Sequence, residues 1–320
     1  MRISAVLPAY DVAPYVGAAL EGLLAQDWPD LELIAVDDGS TDGTGEVIAA
    51  ALPRLRARGW TATLTTQPNR GLGAARNAGL DRTTGAAILF LDGDDRLSPG
   101  ALTRLVDALG GTGSPAMAFP RCRYVDPGGV ADGILSPAVA GPLTAADLLR
   151  RNPIHTDTGV LVARAAIDRA GRFDTRLSSG VGLDYWMRVA GRGPGAIHQV
   201  DAVLVDYRRR PAQITADWRR QRAGWLRIAD GARAAGLIDA RTLRVARAHA
   251  SVTWATTAYR AGDHAAARRL MRDALRAAPL ATVRDGDARM RLMATAASRL
   301  PEPVFHRLSR WVNARGSPNS

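Results

Sequence analysis

The chain contains no lysine, so all 42 of its basic residues are arginine. Its single cysteine, Cys122, excludes a disulfide framework and fits a reducing compartment, the cytoplasm by default. No motif surrounds that thiol, and it reads as a small buried hydrophobe rather than a nucleophile. No stretch reaches the roughly 18 apolar residues that a membrane-spanning helix needs. The opening run, residues 1–8, is too short in apolar residues for a signal peptide.

What is present suits a globular protein. At 320 residues with 47% hydrophobic content, the chain is long enough for one full α/β domain and an appendage. The net charge of +11 is unevenly placed: from Pro211 onward 20 arginines face 8 acidic residues, whereas residues 1–210 hold 22 against 23. Two readings of the basic second part stand. Its arginines are solvated helix faces, or they meet an anionic partner such as a membrane surface, a nucleic acid or a phosphate-bearing substrate. A nucleic-acid binder is disfavoured, because no recognisable motif or regular aromatic interleaving accompanies the charge.

Apolar runs alternate with turn residues through the first part. Residues 2–8 read as a strand ending at Pro8-Ala9-Tyr10-Asp11, and a helix over about 14–26 follows, with Pro14 in its first turn and Val16, Leu20, Leu23 and Leu24 on one face. A second strand, 31–36, ends at Asp37-Asp38-Gly39. Ser40, Thr41 and Asp42 are candidate caps for a helix over about 43–56. A third strand spans 60–66, and Gln67-Pro68-Asn69-Arg70-Gly71-Leu72-Gly73 leads into a helix over 74–81. The fourth strand, Ile88-Leu89-Phe90-Leu91, runs into Asp92-Gly93-Asp94-Asp95.

The pattern then loosens. Helices are expected over 99–109, 144–151 and 183–190, strands near 159–162 and 197–207, a segment of unassigned type near 116–125, and a Gly/Pro-rich connection over 127–142. From Thr215 the texture turns to Ala, Arg and Leu at helical spacing. The expected division is therefore a domain over 1–214 and a basic helical region over 215–320, with the boundary near 211–216. Trp254, Ala258, Tyr259, Gly262, Asp263 and the segment 266–279 resemble one tetratricopeptide-like helical hairpin, and 316–320 should fray.

Strands alternating with helices at this spacing predict a mostly parallel sheet with helices on both faces. Ligands in such sheets bind outside the carboxyl ends of the strands. Residues 9–11, 37–38, 69–70 and 92–95 all fall there, so the fold should gather what the sequence scatters. Three carboxylates within four positions repel, and some take up protons unless a cation sits among them. A divalent metal carrying a phosphate is the natural cation, since hard metals take oxygen ligands. An ordinary solvated turn is the other reading of Asp-Gly-Asp-Asp.

Taken in order, Leu7-Pro8-Ala9-Tyr10, Val36 through Thr44, Asn69-Arg70-Gly71, Ala75-Arg76-Asn77-Ala78-Gly79, Phe90 through Asp95, Gly171-Arg172-Phe173-Asp174 and Asp206-Tyr207-Arg208 resemble a family 2 glycosyltransferase of GT-A fold. The resemblance covers about the first two-thirds of the chain. It implies a Rossmann-like, mostly parallel sheet sandwiched by helices, with the all-α region appended. It also implies a nucleotide-sugar donor, Mn²⁺ or Mg²⁺, and direct displacement with inversion at the anomeric carbon. By the same resemblance Pro8, Ala9 and Tyr10 border the nucleobase, Asp37 and Asp38 hold base or ribose, and Asn69, Arg70 and Arg76 lie near the donor. Asp92 and Asp94 form the Asp-X-Asp motif, and Asp94 leads as metal ligand. For Tyr10, packing under the sheet edge is the alternative; for Arg76, a place on the helix surface.

One departure touches the chemistry. The family sets a Glu-Asp pair, whose Asp is the general base, just before a helix ending like Tyr185-Trp186-Met187-Arg188, and here Val181 and Gly182 stand in that place. Asp184 replaces it only if 180–184 is loop, because two residues along a helix turn a side chain by roughly 200°. His155 and Asp157, where the family lines its acceptor side, are the other candidate bases. Arg210 stands where the family often has His; it cannot act as a base but can bind phosphate. The expectation is an active inverting transferase acting on a saccharide, lipid-linked or other small acceptor, with the basic helices against an anionic membrane face. The alternative is a donor-binding member with feeble turnover, acting through its helical tail.

Overall fold

A computed structural model describes residues 1–110, 116–191, 197–210, 217–279 and 281. By internal contacts the chain divides into two compact units, Met1–Ala216 and Asp217–Ser320. The expected boundary, 211–216, and the terminal residues 316–320 lie outside the described residues.

The first unit begins with strand–helix alternation: β1 (Ile3–Ala9), α1 (Ala13–Leu24), β2 (Leu31–Asp37), α2 (Thr44–Ala57), β3 (Thr61–Thr66), α3 (Leu72–Leu80) and β4 (Ala87–Phe90). Every residue of β1, β2 and β4 is buried, as expected of parallel strands covered on both faces. β3 is only partly covered, in keeping with its place at the sheet edge. Pro14 lies in the first turn of α1, where its missing N–H costs nothing. None of the three candidate caps holds the N-cap position of α2, which falls on Gly43 with no side-chain cap bond; Asp42, just before it, accepts from the Thr44 amide at 3.0 Å.

The chain continues through β5 (Arg96–Leu97), α4 (Ala101–Leu109), β6 (Met117–Val125), β7 (Ala131–Leu135), α5 (Ala145–Arg150), β8 (Val160–Ala163), α6 (Arg164–Ala170), α7 (Val181–Gly191) and β9 (Ile197–Arg208). The Gly/Pro-rich stretch read as a connection thus contains β7, and α6 was not foreseen. Among the described residues the strands form one sheet in the order β3-β2-β1-β4-β8-β6-β9-β5, with β7 on β6. β3, β2, β1 and β4 run parallel, β8 runs against β4, and β9 runs parallel to β6. The sheet is therefore mixed and mostly parallel, with helices flanking it.

Register decides what meets at its rim. Ala9 pairs with Asp37, so β1 and β2 end together, while β4 ends at Phe90 opposite Val6 and the chain after it runs on along the last residues of β1. The antiparallel pairing of Phe90 with Val160 then lays the residues just before β8 beside those just after β4.

The second unit is helical: α8 (Trp218–Ala234), α9 (Ala240–Arg260) and α10 (His264–Ala277), each capped by an aspartate at 217, 239 or 263. α9 and α10 pack through Ala248, Val252, Ala255, Ala267 and Leu270, the alanines leaving room for the larger side chains. No helix among the described residues is long and apolar enough to cross a membrane.

Candidate functional site

The end of β1 is the hub. The Ala9 carbonyl accepts from the Asp38 amide at 2.8 Å, joining the first acidic pair to β1. On the other side, a Cβ placed on Gly93 would lie 3.0 Å from Val12 and 3.6 Å from the Pro8 carbonyl, so the second acidic loop packs against the same strand end. Asp38 gathers its own neighbours: Oδ1 accepts from Gln67 Nε2 at 2.7 Å and the Arg70 amide at 3.0 Å, and Oδ2 accepts from the Gly71 amide at 2.8 Å. Asp37 accepts from the Ser40 amide. Tyr10, Asn69 and Arg70 stand exposed at this rim, which removes the reading of Tyr10 as packed beneath the sheet edge.

The second acidic loop is held by residues far along the chain. The Asp92 amide donates to Thr158 Oγ1 at 3.0 Å, the direct result of the β4–β8 register. Asp92 Oδ1 accepts from Arg76 at 2.7 Å, and the other arm of that guanidinium donates to Asp157 Oδ2 at 2.6 Å. Trp186 Nε1 donates to Asp157 Oδ1 at 2.7 Å. Asp94 Oδ2 accepts from Arg210 Nε at 2.7 Å. Asp95 is buried and accepts from the Thr156 hydroxyl and from the Arg208 amide.

This crowding shifts protons. Desolvation pushes Asp92 up to about 6, Arg76 pulls the other way, and the charges of Asp157 and Asp94 add to the rise. Asp95 is carried well above the ordinary carboxylate range by burial and by Asp94 and Asp92. The rim thus holds more negative charge than its arginines offset, and a cation there would be welcome.

One alternative and one expected role change. Arg76 does not lie on the helix surface; it is fully buried, with its guanidinium near the rings of Phe90 and Phe173 and committed to two carboxylates. It acts through Asp92 and Asp157. Asp184 does not swing in as a base, because α7 has already begun at Val181. That phase leaves Asp184 bonded to Arg188 at 2.8 Å, on the face opposite Gly182 and Trp186. His155 Nδ1 is joined to the Tyr124 hydroxyl, and desolvation lowers its pKa. Trp186, Thr158 and Arg208 were missed as site residues. Trp186 stood in a motif, but nothing in its spacing signals a partner 29 residues earlier.

Metal chemistry can be tested on the donor set. Asp92 meets Arg76 through one oxygen and Asp94 meets Arg210 through one oxygen, so each keeps a second for another ligand. No group of three or more His, Cys, Asp or Glu among the described residues is arranged to hold an ion alone. Two carboxylates, completed by phosphate oxygens and water, are the usual protein share for Mg²⁺ and similar hard ions, so the residues fit.

The family model for glycosyl transferase family 2 matches residues 4–169, just over half the chain. This chain belongs to glycosyl transferase family 2. Among curated relatives, an uncharacterized glycosyltransferase of Nostoc sp. is 37% identical over 107 residues, covering 33% of this chain and 32% of the relative. The chain matches about a third of the length of such relatives. Among solved structures, S. aureus TarS 1–349 in complex with UDP-GlcNAc superposes with a TM-score of 0.55 at 15% identity, covering 97% of this chain and 88% of that one. The mannosyltransferase PcManGT from Pyrobaculum calidifontis, in complex with GDP-Man and Mn²⁺, gives 0.54 at 19% identity, covering 98% and 85%. These likenesses establish the GT-A fold.

Proposed function

We propose that the protein transfers a sugar, with inversion, from a nucleotide-diphosphate sugar to an acceptor hydroxyl. The observation that carries this is the meeting of two acidic strand ends at Ala9: Asp38 is bonded to its carbonyl, and the Asp92–Asp95 loop packs beside it. Pro8, Ala9, Tyr10, Asp37, Asp38, Asn69 and Arg70 border the nucleoside. Asp92 and Asp94 would hold Mn²⁺ or Mg²⁺. Such an ion, when bound, offsets the charge that builds on the leaving diphosphate. Arg210, already beside Asp94, is placed to pair with diphosphate oxygens. The UDP-GlcNAc of the S. aureus protein and the GDP-Man and Mn²⁺ of the P. calidifontis protein support this donor class and ion.

The acceptor is a saccharide or a lipid-linked glycan, and the arginine-rich helices meet an anionic, cytoplasmic membrane face; the charge excess after Pro211 supports this. The donor reading is tested by thermal shift with UDP-, GDP- and dTDP-sugars, with and without Mn²⁺. One nucleotide class should raise Tm, and more so with the ion. No shift with any donor would end it.

A further inference from the structure

The place left empty by Gly182 is filled from elsewhere in the chain. Gly182 sits buried in the first turn of α7. A Cβ built on it would lie 2.7 Å from Asp157 Cγ and closer still to both carboxylate oxygens. No side chain at 182 can coexist with Asp157 as it stands. The carboxylate of Asp157, arriving from the segment before β8, occupies the space into which a residue at 182 would project.

It is held there on purpose-built donors. Trp186, one turn after Gly182 on the same face, donates to Oδ1 at 2.7 Å, and Arg76 donates to Oδ2 at 2.6 Å. A carboxylate offers about four acceptor sites, so both oxygens keep capacity after these bonds. The Asp157 side chain retains 17% exposure, whereas Arg76 has none, so the open edge belongs to the carboxylate. Arg76 also grips Asp92, so one guanidinium offsets two carboxylates and only partly neutralises Asp157. The same guanidinium sets Asp157 beside the acidic loop assigned above to the donor diphosphate. Of the other carboxylates near α7 and this loop, Asp184 turns to Arg188 on the opposite face of the helix, and Asp95 is only 1% exposed.

We propose that Asp157 is the general base of the transfer, a catalytic carboxylate relocated from α7 to the segment before β8, with Gly182 as the vacancy that admits it. The assignment rests on the transferase reading above. The acceptor's O–H proton passes to Asp157, and the oxygen's electron pair forms the bond to the anomeric carbon. The bond from that carbon to the diphosphate oxygen breaks, and its pair leaves with the nucleoside diphosphate. Asp157 then returns the proton to solvent through its exposed edge. Trp186 and Arg76 are positioning residues.

With the acceptor unidentified, water serves as the probe. The assay reads UDP or GDP released from UDP-GlcNAc or GDP-mannose by the full chain with Mn²⁺, beside the Kd for the same nucleotide. Asp157→Asn should lower kcat about a hundredfold with Kd within about threefold of wild type. Asp157→Gly should be equally slow, and the exchange Asp157→Gly with Gly182→Asp should regain at least about tenfold over it, because the carboxylate returns from the helix side. A purely structural role for Asp157 would show as a loss of Tm and of nucleotide affinity in step with kcat, whereas loss of the base lowers kcat alone, and the exchange keeps the test open even if Asp157→Asn fails to fold. Release by Asp157→Asn within about threefold of wild type would overturn the assignment, as would a nucleotide-binding exchange variant no faster than Asp157→Gly. A wild-type chain that binds neither donor nor nucleotide would take down the transferase reading itself, and this assignment with it.

Discussion

Arg210 Nε stands 2.7 Å from Asp94 Oδ2, joining the strand end after β9 to the acidic loop after β4 across 116 positions of sequence. In the absence of ligand the arginine supplies the positive charge that this carboxylate needs. A divalent ion at Asp94 would compete for it, and a diphosphate would draw the guanidinium away.

Arg210→Ala is therefore expected to move two affinities in opposite directions. Losing a charged hydrogen bond to phosphate should weaken UDP or GDP binding by roughly tenfold to a hundredfold. Binding of Mn²⁺ alone should tighten, since Asp94 is released. Calorimetric titration of each ligand checks both signs.

Arg76 has no exposure and binds two carboxylates, and its Nε is buried without a partner among the described residues. Replacing it strands both negative charges. Arg76→Met should cost about 3–5 kcal/mol, seen as a fall in Tm of roughly 6–20 °C. A Tm within about 2 °C of wild type would show that the triad is not under strain from its charges.

Asp38 satisfies the Arg70 and Gly71 amides and the Gln67 side chain. Asp38→Ala leaves these donors to water and frees the segment after β3. We expect a stability loss of about 1–3 kcal/mol. Nucleotide affinity should drop by tenfold or more, on the order of one such bond to a charged group. Both are measurable by denaturant titration and by calorimetry.

Glu32 sits at the opposite, amino end of the parallel strands, buried and accepting from Ser4, Thr84 and Gly85 with Arg2 beside it. Burial raises its pKa, but these hydrogen bonds win and hold it below the ordinary value of 4.5. A folded-state pKa below the unfolded one means stabilisation that is full above about 4.5 and lost as pH falls through the lower folded value. Glu32→Gln should lower Tm at pH 7 by about 2 kcal/mol equivalent, roughly 4–8 °C. The gap to wild type should narrow as the pH falls below 4. A gap that stays constant with pH would assign the effect to packing instead.

Much of this protein is legible along the chain, because local chemistry decides it. Fully apolar runs such as Leu31–Asp37 must be covered on both faces, which requires parallel strands with helices above and below. Acidic residues directly after such runs must lie at the carboxyl rim. The helices of the second unit follow from composition and spacing, while their aspartate caps at 217, 239 and 263 are seen in the structure. The start of α7 was less legible: Gly180 and Gly182 leave both a loop and a helix open, and the first turn is where local signals are weakest.

What the sequence by itself determined, then, is the alternation of elements, the placing of Asp37, Asp38, Asp92 and Asp94 at strand ends, and the absence of the expected carboxylate at Gly182. Only the tertiary structure decided that Arg76 turns inward, that Asp184 turns aside, and that Asp157 stands over Gly182. Those outcomes depend on the phase of α7 and on the antiparallel register that sets Thr158 beside Asp92. A shift of one residue in either would send every side chain to another face, and no local pattern in the chain encodes both at once.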